Sequence, residues 1–138
     1  MDVSKNSFRK IILFSFFILF AHVGIELLPI FSDYQLLEEQ LYKGIIIKFV
    51  SPGFLILILF LLFIAILLSL FLLYFFKPYG RILYLISTLM SCIYLVLGGD
   101  WVQYSLTYPL ELLGSFLEIF ILYLIYLTPL KKEFESKK

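Results

Sequence analysis

The amino-acid sequence predicts an all-α integral membrane protein, built as a bundle of four transmembrane helices. Composition is the first reason, because 62% of the 138 residues are hydrophobic and only 15% are charged. Soluble domains are about 45–50% apolar and about 25% charged. The second reason is that the apolar residues fall into four runs long enough to cross a bilayer. Little of the chain lies outside these runs, so one membrane domain over residues 1–138 is predicted.

The first two spans are predicted over residues 11–30 and 52–76. Basic residues precede the first span, as they do in a signal peptide, but its apolar run exceeds the roughly 7–15 residues of a secretory signal. We therefore interpret it as a retained helix. The second span starts at Ser51 and Pro52, which suit a helix N-cap and first turn, and it contains no charged residue.

The third and fourth spans are predicted over residues 82–97 and 109–130. The third is short and stops at the Gly98-Gly99 pair, which suits a helix end. The fourth starts at Pro109, which suits a first helical turn, and ends before a basic tail. None of the runs has the alternation typical of barrel strands, and open strands cannot span lipid, so helices are favoured.

Two outer loops are predicted, over residues 31–51 and 98–108. The first begins with Ser32 and Gln35 at the spacing of a capping box, followed by apolar residues at helical intervals. This pattern predicts a short interfacial helix on the outer leaflet, as a lid over the bundle end or as a recognition surface. Trp101 in the second loop is expected at the outer interface.

Basic residues predict the direction in which the chain crosses the membrane. Nine of the eleven Lys and Arg residues lie in the N-terminal tail, the turn at residues 77–81 and the C-terminal tail, whereas the outer loops hold only Lys43 and Lys48. Cytoplasmic segments carry the excess of Lys and Arg. Both termini are therefore predicted to be cytoplasmic. The predicted interfacial anchors are Lys77, Arg81, Trp101, Lys131 and Lys132.

Three ionisable residues, His22, Glu26 and Glu118, lie within the predicted spans and form a candidate intramembrane polar or proton site. Counted from the predicted span ends at about 1.5 Å per residue, His22 and Glu118 fall at similar depths and can pair. Two interpretations stay open: polar contacts that fix helix pairing, or a site that binds protons or faces a substrate. Glu26 is near the outer end and can reach the interface, and Glu111 in a first helical turn is expected to face outer water.

Small and hydroxyl-bearing residues extend these positions into stripes along three of the four helices. The first helix carries one such stripe with His22, the third carries one with Tyr84, and the fourth carries one with Glu118. The second helix is almost wholly apolar. We therefore expect helices one, three and four to share a polar seam, with the second helix as an apolar wall. The predicted stripe residues are Ser15, Ser87, Ser91, Gly114 and Ser115.

Several classes of chemistry are excluded by the sequence. The single Cys92 cannot form an internal disulfide, and one His cannot supply two axial haem ligands. His, Cys and acidic residues show no metal-ligand spacing, and no phosphate-binding glycine loop or basic nucleic-acid face is present. No catalytic residue, metal or cofactor is predicted, and the protein is not expected to be an enzyme.

Three features of the second half carry a resemblance: Lys-Pro-Tyr-Gly-Arg at residues 77–81 leading into a helix, Glu118 in the last span, and the ending Thr-Pro-Leu-Lys-Lys-Glu-Phe at residues 128–134. On these features, the chain from about Phe75 to Phe134 resembles a loose group of small, uncharacterised bacterial inner-membrane proteins with four helices. The resemblance implies topology, and it implies nothing catalytic.

The sequence therefore favours a protein of the bacterial inner membrane that acts by association, as a homo-oligomer or as an accessory subunit of a membrane complex. Its expected partners are the lipid bilayer and other membrane proteins, with no nucleic acid. One alternative is an oligomeric proton- or solute-conducting transporter or channel that uses Glu118 and His22. A further alternative is a membrane-perturbing effector of the holin or defence type.

Overall fold

The computed structural model describes residues 4–26, 52–98 and 108–135. These residues form four α-helices and a C-terminal 3₁₀ helix, and no β-strand occurs among them. The described part of the chain is therefore all-helical, in agreement with the predicted class. The helices are α1 (Lys5–Glu26), α2 (Pro52–Tyr74), α3 (Pro78–Gly98), α4 (Tyr108–Leu127) and the 3₁₀ helix (Pro129–Phe134).

Three of the described helices are long and apolar enough to cross a membrane. The qualifying segments are Lys5–Ile25, Leu57–Tyr74 and Tyr108–Leu127. The chain is therefore a membrane protein with three candidate spans in its described part. Helix α3 is 21 residues long and carries Arg81 near its start.

Helix α1 begins well before the predicted span at residue 11. Its cap is Ser4, whose hydroxyl oxygen accepts a hydrogen bond from the Ser7 amide at 3.2 Å. The Ser4 carbonyl oxygen accepts a second bond, from the Phe8 amide, at 3.0 Å. These bonds satisfy amides that a helix start leaves without partners, so the basic N-terminal segment is helical.

Helix α4 ends at Leu127, before the predicted end of its span at residue 130. The Thr128 hydroxyl donates to the Leu124 carbonyl at 2.6 Å and accepts from the Leu130 amide at 3.3 Å. Thr128 therefore closes α4 and caps the 3₁₀ helix that follows.

Helix α2 ends in a Schellman motif. The Lys77 amide donates to the Leu72 carbonyl at 2.9 Å, and the Phe76 amide donates to the Leu73 carbonyl at 3.0 Å. Phe76 has φ 54°, the left-handed position that helix ends usually give to glycine. The motif reverses the chain, so α3 runs back along α2.

Gly80 permits the close packing of α3 on α2. A Cβ atom built at Gly80 would lie 2.8 Å from Leu72 Cβ and 2.9 Å from the Leu73 amide nitrogen. Both distances are shorter than any ordinary non-bonded contact of a Cβ atom. A side chain at residue 80 would therefore force the two helices apart.

A buried apolar core fills the half of the bundle near the start of α1. All four helices and the 3₁₀ helix contribute to it, so the core ties both ends of the described chain to the α2–α3 hairpin. Its members are Phe8, Ile12, Leu70, Leu73, Tyr84, Ile121, Leu124, Ile125, Leu130 and Phe134.

Three phenylalanines from separate segments pack together at the end of this core. The ring centroid of Phe8 lies 5.6 Å from that of Phe76 and 5.9 Å from that of Phe134, and the last two are 5.2 Å apart. These are normal distances for attractive ring pairs. The start of α1, the α2–α3 turn and the 3₁₀ helix therefore lie at one end of the bundle, called here the basic end.

Two arginines at the basic end pack on aromatic rings. The Arg9 guanidinium lies 5.4 Å from the Tyr74 ring centroid, and the Arg81 guanidinium lies 4.7 Å from that of Tyr126. The Tyr126 hydroxyl also donates to the Arg81 carbonyl at 3.1 Å, which joins α4 to α3. Three of the predicted anchors are exposed at this end, namely Lys77, Lys131 and Lys132.

Candidate functional site

Beyond the apolar core, away from the basic end, the four helices line a half-open cavity of about 170 Å³. Helix α2 supplies an apolar wall through Ile66 and Leu70, while α1, α3 and α4 supply the polar groups. One water molecule occupies about 30 Å³ of liquid, so the cavity has room for several. Polar side chains that the sequence places on three helices thus face one space.

Helix α4 contributes Glu111, Gly114, Ser115 and Glu118 to the cavity wall. Steps of three, one and three residues keep these positions on one side of the helix. Glu118 lies midway along α4 and is half-buried, whereas Ser115 is exposed. Glu111, in the first turn of α4, is half-buried and lines the wall. Its expected contact with outer water stays a prediction.

Helix α1 contributes Ser15, which is 9% exposed, and His22, which is half-buried. A Cβ atom at Gly114 would lie 3.9 Å from Ile18 Cγ2, which sets these two residues at one level of the antiparallel pair. Counting along both helices from that contact, Ser15 lies about level with Glu118.

The same register puts His22 about level with the start of α4, so His22 and Glu118 line the cavity at depths about 12 Å apart. The sequence predicts similar depths because it starts the first span at residue 11 and ends the fourth at residue 130. The helices instead start at Lys5 and end at Leu127. That shift of the helix ends accounts for the difference.

Helix α3 contributes Tyr84 and Ser91 to the wall. Tyr84 is 1% exposed, and its hydroxyl has no hydrogen-bond partner among the described residues. The buried Thr88 hydroxyl also has no hydrogen-bond partner among the described residues. A buried polar group without a partner costs free energy, so a ligand that reaches the Tyr84 hydroxyl would restore a hydrogen bond.

Ser87, predicted as part of the same stripe, is buried but does not line the cavity. Its hydroxyl donates to the carbonyl oxygens of Leu83 at 2.8 Å and Tyr84 at 3.1 Å, within its own helix. The sequence pattern puts Tyr84 on the stripe, but Tyr84 is not among the predicted site residues. Tyrosine is common in membrane proteins as an interfacial residue, and only its spacing from Ser87 and Ser91 indicates a shared face.

Some predicted residues lie outside the described part of the chain. Glu26 ends α1, but its side chain is not described. Trp101, the predicted interfacial helix and most of the two outer loops fall within residues 27–51 and 99–107. The predictions for them stay predictions.

The described bundle is least closely packed between α3 and α4. Among the neighbouring helix pairs around the described bundle, these two contact each other least. Their hydrogen bond from Tyr126 to Arg81 lies at the basic end. At the level of the cavity, Ser115 is exposed. The gap between α3 and α4 beside the cavity is called here the seam.

The cavity offers two carboxyl groups, several hydroxyls and an imidazole, and among the described residues no Lys or Arg lines it. Within the described ranges, no group of three or more His, Cys, Asp and Glu residues has the arrangement of a metal site. Such a wall can hold protons, water and cations through oxygen atoms.

Comparison with protein-family models, curated proteins and solved structures gives no match to this chain. The resemblance of the segment from about Phe75 to Phe134 to small inner-membrane proteins stays a prediction.

Proposed function

We propose that this protein acts by association in the membrane. It associates as a homo-oligomer whose copies close the seam, or it is an accessory subunit of a larger membrane complex. The observation that carries the proposal is the exposure of Ser115 on the wall of a polar cavity at membrane depth. In a bilayer, a single chain would leave Ser115 uncovered on this wall.

The energetic argument concerns polar groups that face hydrocarbon. A charged side chain at the centre of a spanning helix costs roughly 2.5–3.5 kcal/mol in insertion experiments, and the half-buried Glu118 lies midway along α4. A neighbouring helix in the seam would replace lipid beside Glu118 and Ser115 and could hydrogen-bond to both. Ser115 has a small side chain and Gly114 has none, so the neighbouring helix can approach α4 closely.

The proposed topology has four spans, with both termini on the cytoplasmic side of a bacterial inner membrane. Helix α3 is proposed as the remaining span because it is 21 residues long and runs back along α2, which is a candidate span. Lys and Arg from three separate segments gather at the basic end, which supports a cytoplasmic position for that end.

Cysteine crosslinking in native membranes tests the association. A Ser115→Cys variant in a Cys92→Ser background carries one thiol at the seam, and oxidation is expected to give a covalent dimer. The matched control is Leu61→Cys in the same background, because Leu61 is 56% exposed on the apolar helix α2. A covalent link from the seam thiol to a different polypeptide would favour the accessory-subunit form. Equal yields of monomer from both variants would refute association at the seam.

A second candidate function is the handling of a proton or a small polar solute, and the cavity itself favours it. Ionisable residues that face a cavity at membrane depth commonly lie on ion or substrate paths. The test is flux into liposomes that contain the purified protein. Glu118→Gln and His22→Ala are expected to abolish flux, whereas Glu135→Gln, which changes an exposed carboxyl at the basic end, should preserve it. Flux that is absent from the unsubstituted protein would refute this candidate.

A further inference from the structure

The charge of the cavity wall selects among possible ligands. Two carboxyl groups, from Glu111 and Glu118, line the cavity, and the described Lys and Arg residues lie at the opposite, basic end of the bundle. In a low-dielectric surrounding, fixed charges act strongly on whatever enters. The carboxylates repel an anion and attract a cation, so the charge of the wall favours a positively charged ligand.

The buried phenol of Tyr84 supplies an independent indication of a ligand. Tyr84 is 1% exposed, it lines the cavity, and its hydroxyl has no partner among the described residues. A phenol oxygen can accept from an ammonium group or coordinate an alkali cation, and its proton can be donated to a carboxylate. The orphaned hydroxyl is therefore of the kind that a cation beside a carboxylate would engage.

Further oxygen ligands come from all three polar helices. Ser15 lies about level with Glu118 on the facing helix and is 9% exposed. Ser91 and Ser115 add hydroxyls from α3 and α4. Hard cations prefer oxygen ligands of this kind, and a volume of about 170 Å³ has room for a small ion with a few water molecules, or for a small amine.

We propose that the cavity binds a small monovalent cation, an alkali-metal ion or a protonated primary amine, with the Glu118 carboxylate as its counter-ion and the Tyr84 hydroxyl as an oxygen ligand. The proposal deepens the second candidate function by naming its ligand class, and it does not depend on closure of the seam. It concerns occupancy of the cavity, whereas flux measurements concern passage through the membrane.

Thermal unfolding of the full chain in lipid nanodiscs tests the proposal. Sodium, potassium or methylammonium chloride replaces N-methyl-D-glucamine chloride at constant ionic strength, so that the cation is the only component that changes. At least one small cation is expected to raise the melting temperature by a few degrees, because a ligand that binds only the folded state stabilises it. Stabilisation by the alkali ions assigns a metal ion, and stabilisation by methylammonium assigns an amine.

Two variants give the proposal a distinctive signature. Glu118→Gln should weaken the apparent affinity at least about tenfold, because it removes a charge-assisted contact. Tyr84→Phe should raise the melting temperature in N-methyl-D-glucamine, since it deletes an unpaired buried hydroxyl, and yet weaken cation affinity about three- to tenfold. Tyr126→Phe is the matched control, because that hydroxyl is bonded at the basic end, and it should leave cation affinity unchanged.

Equal melting temperatures in all four salts would overturn the proposal, and so would stabilisation by a small cation that persists undiminished in Tyr84→Phe. The second result keeps the test decisive if Glu118→Gln fails to fold. Cation binding without flux would contradict transport and leave this site in place. Flux of protons without any cation binding would support transport and contradict the cation site.

Discussion

Replacing Gly80 by alanine is expected to destabilise the α2–α3 hairpin by about 2 kcal/mol. The added Cβ would meet Leu72 Cβ at 2.8 Å, the Leu73 amide nitrogen at 2.9 Å and the Leu72 carbonyl carbon at 3.0 Å. Backbone atoms cannot rotate away as a side chain can, so the cost belongs near the upper end of the roughly 1–3 kcal/mol typical of overpacking. Alanine recovers about 1 kcal/mol of helix propensity, which gives the net figure.

Two other glycines provide matched controls for this substitution. Gly24 in α1 has no atom within 4 Å of an added Cβ, and Gly114 in α4 has only Ile18 Cγ2 at 3.9 Å, an ordinary contact. Gly24→Ala should therefore stabilise the protein by about 0.5–1 kcal/mol, and Gly114→Ala should fold normally. Reversible unfolding in mixed micelles, followed by circular dichroism, measures the series. A Gly80→Ala protein as stable as Gly24→Ala would refute the close approach of α3 to α2.

Three further predictions concern the basic end, each measured by the same unfolding assay. Phe76→Gly removes the strain of a left-handed backbone, about 1–2 kcal/mol, but loses ring packing that contributes about 3 kcal/mol. The free energy of unfolding should therefore fall by about 1–2 kcal/mol, and an increase would contradict the packing. Tyr126→Phe removes the bond to the Arg81 carbonyl and should cost about 1 kcal/mol; no loss would contradict that bond. The ion pair of Lys5 and Glu133, 2.6 Å apart, is exposed, so Glu133→Gln should cost less than about 1 kcal/mol, and a larger loss would contradict its exposure.

Composition and periodicity predict the helical class and the polar faces, because both depend on local residue pattern. A run of apolar residues as long as a bilayer is thick has few alternatives to a helix. In the same way, the spacing of Gly114, Ser115 and Glu118 puts them on one side of α4 whatever the neighbours are. The structure adds that this side faces α1 across a cavity.

Helix ends and the register between helices depend on interactions that a hydropathy pattern does not contain. The Ser4 cap extends α1 into the basic tail, and Thr128 ends α4 early, which together shift His22 relative to Glu118. The sequence also does not predict the left-handed backbone of Phe76, because glycine is the usual residue at that position of a helix end. Its ring lies beside those of Phe8 and Phe134, which offsets the strain of the backbone.

The importance of Tyr84 becomes visible only when its environment is known. Tyrosine with a bonded hydroxyl is an ordinary structural residue, as Tyr126 shows at the basic end. Tyr84 differs because its hydroxyl is buried on a cavity wall with no partner in the described chain. Burial and hydrogen bonding of this kind arise from tertiary packing, and sequence spacing alone does not reveal them.

The most direct test of the account is the number of copies in each particle extracted from native membranes without detergent. Mass measurement of such lipid nanodiscs is expected to give two or more copies of this chain, or one copy with a second membrane protein. Particles that hold a single copy and no other protein would contradict association, because Ser115 and Glu118 would then face lipid across the open seam.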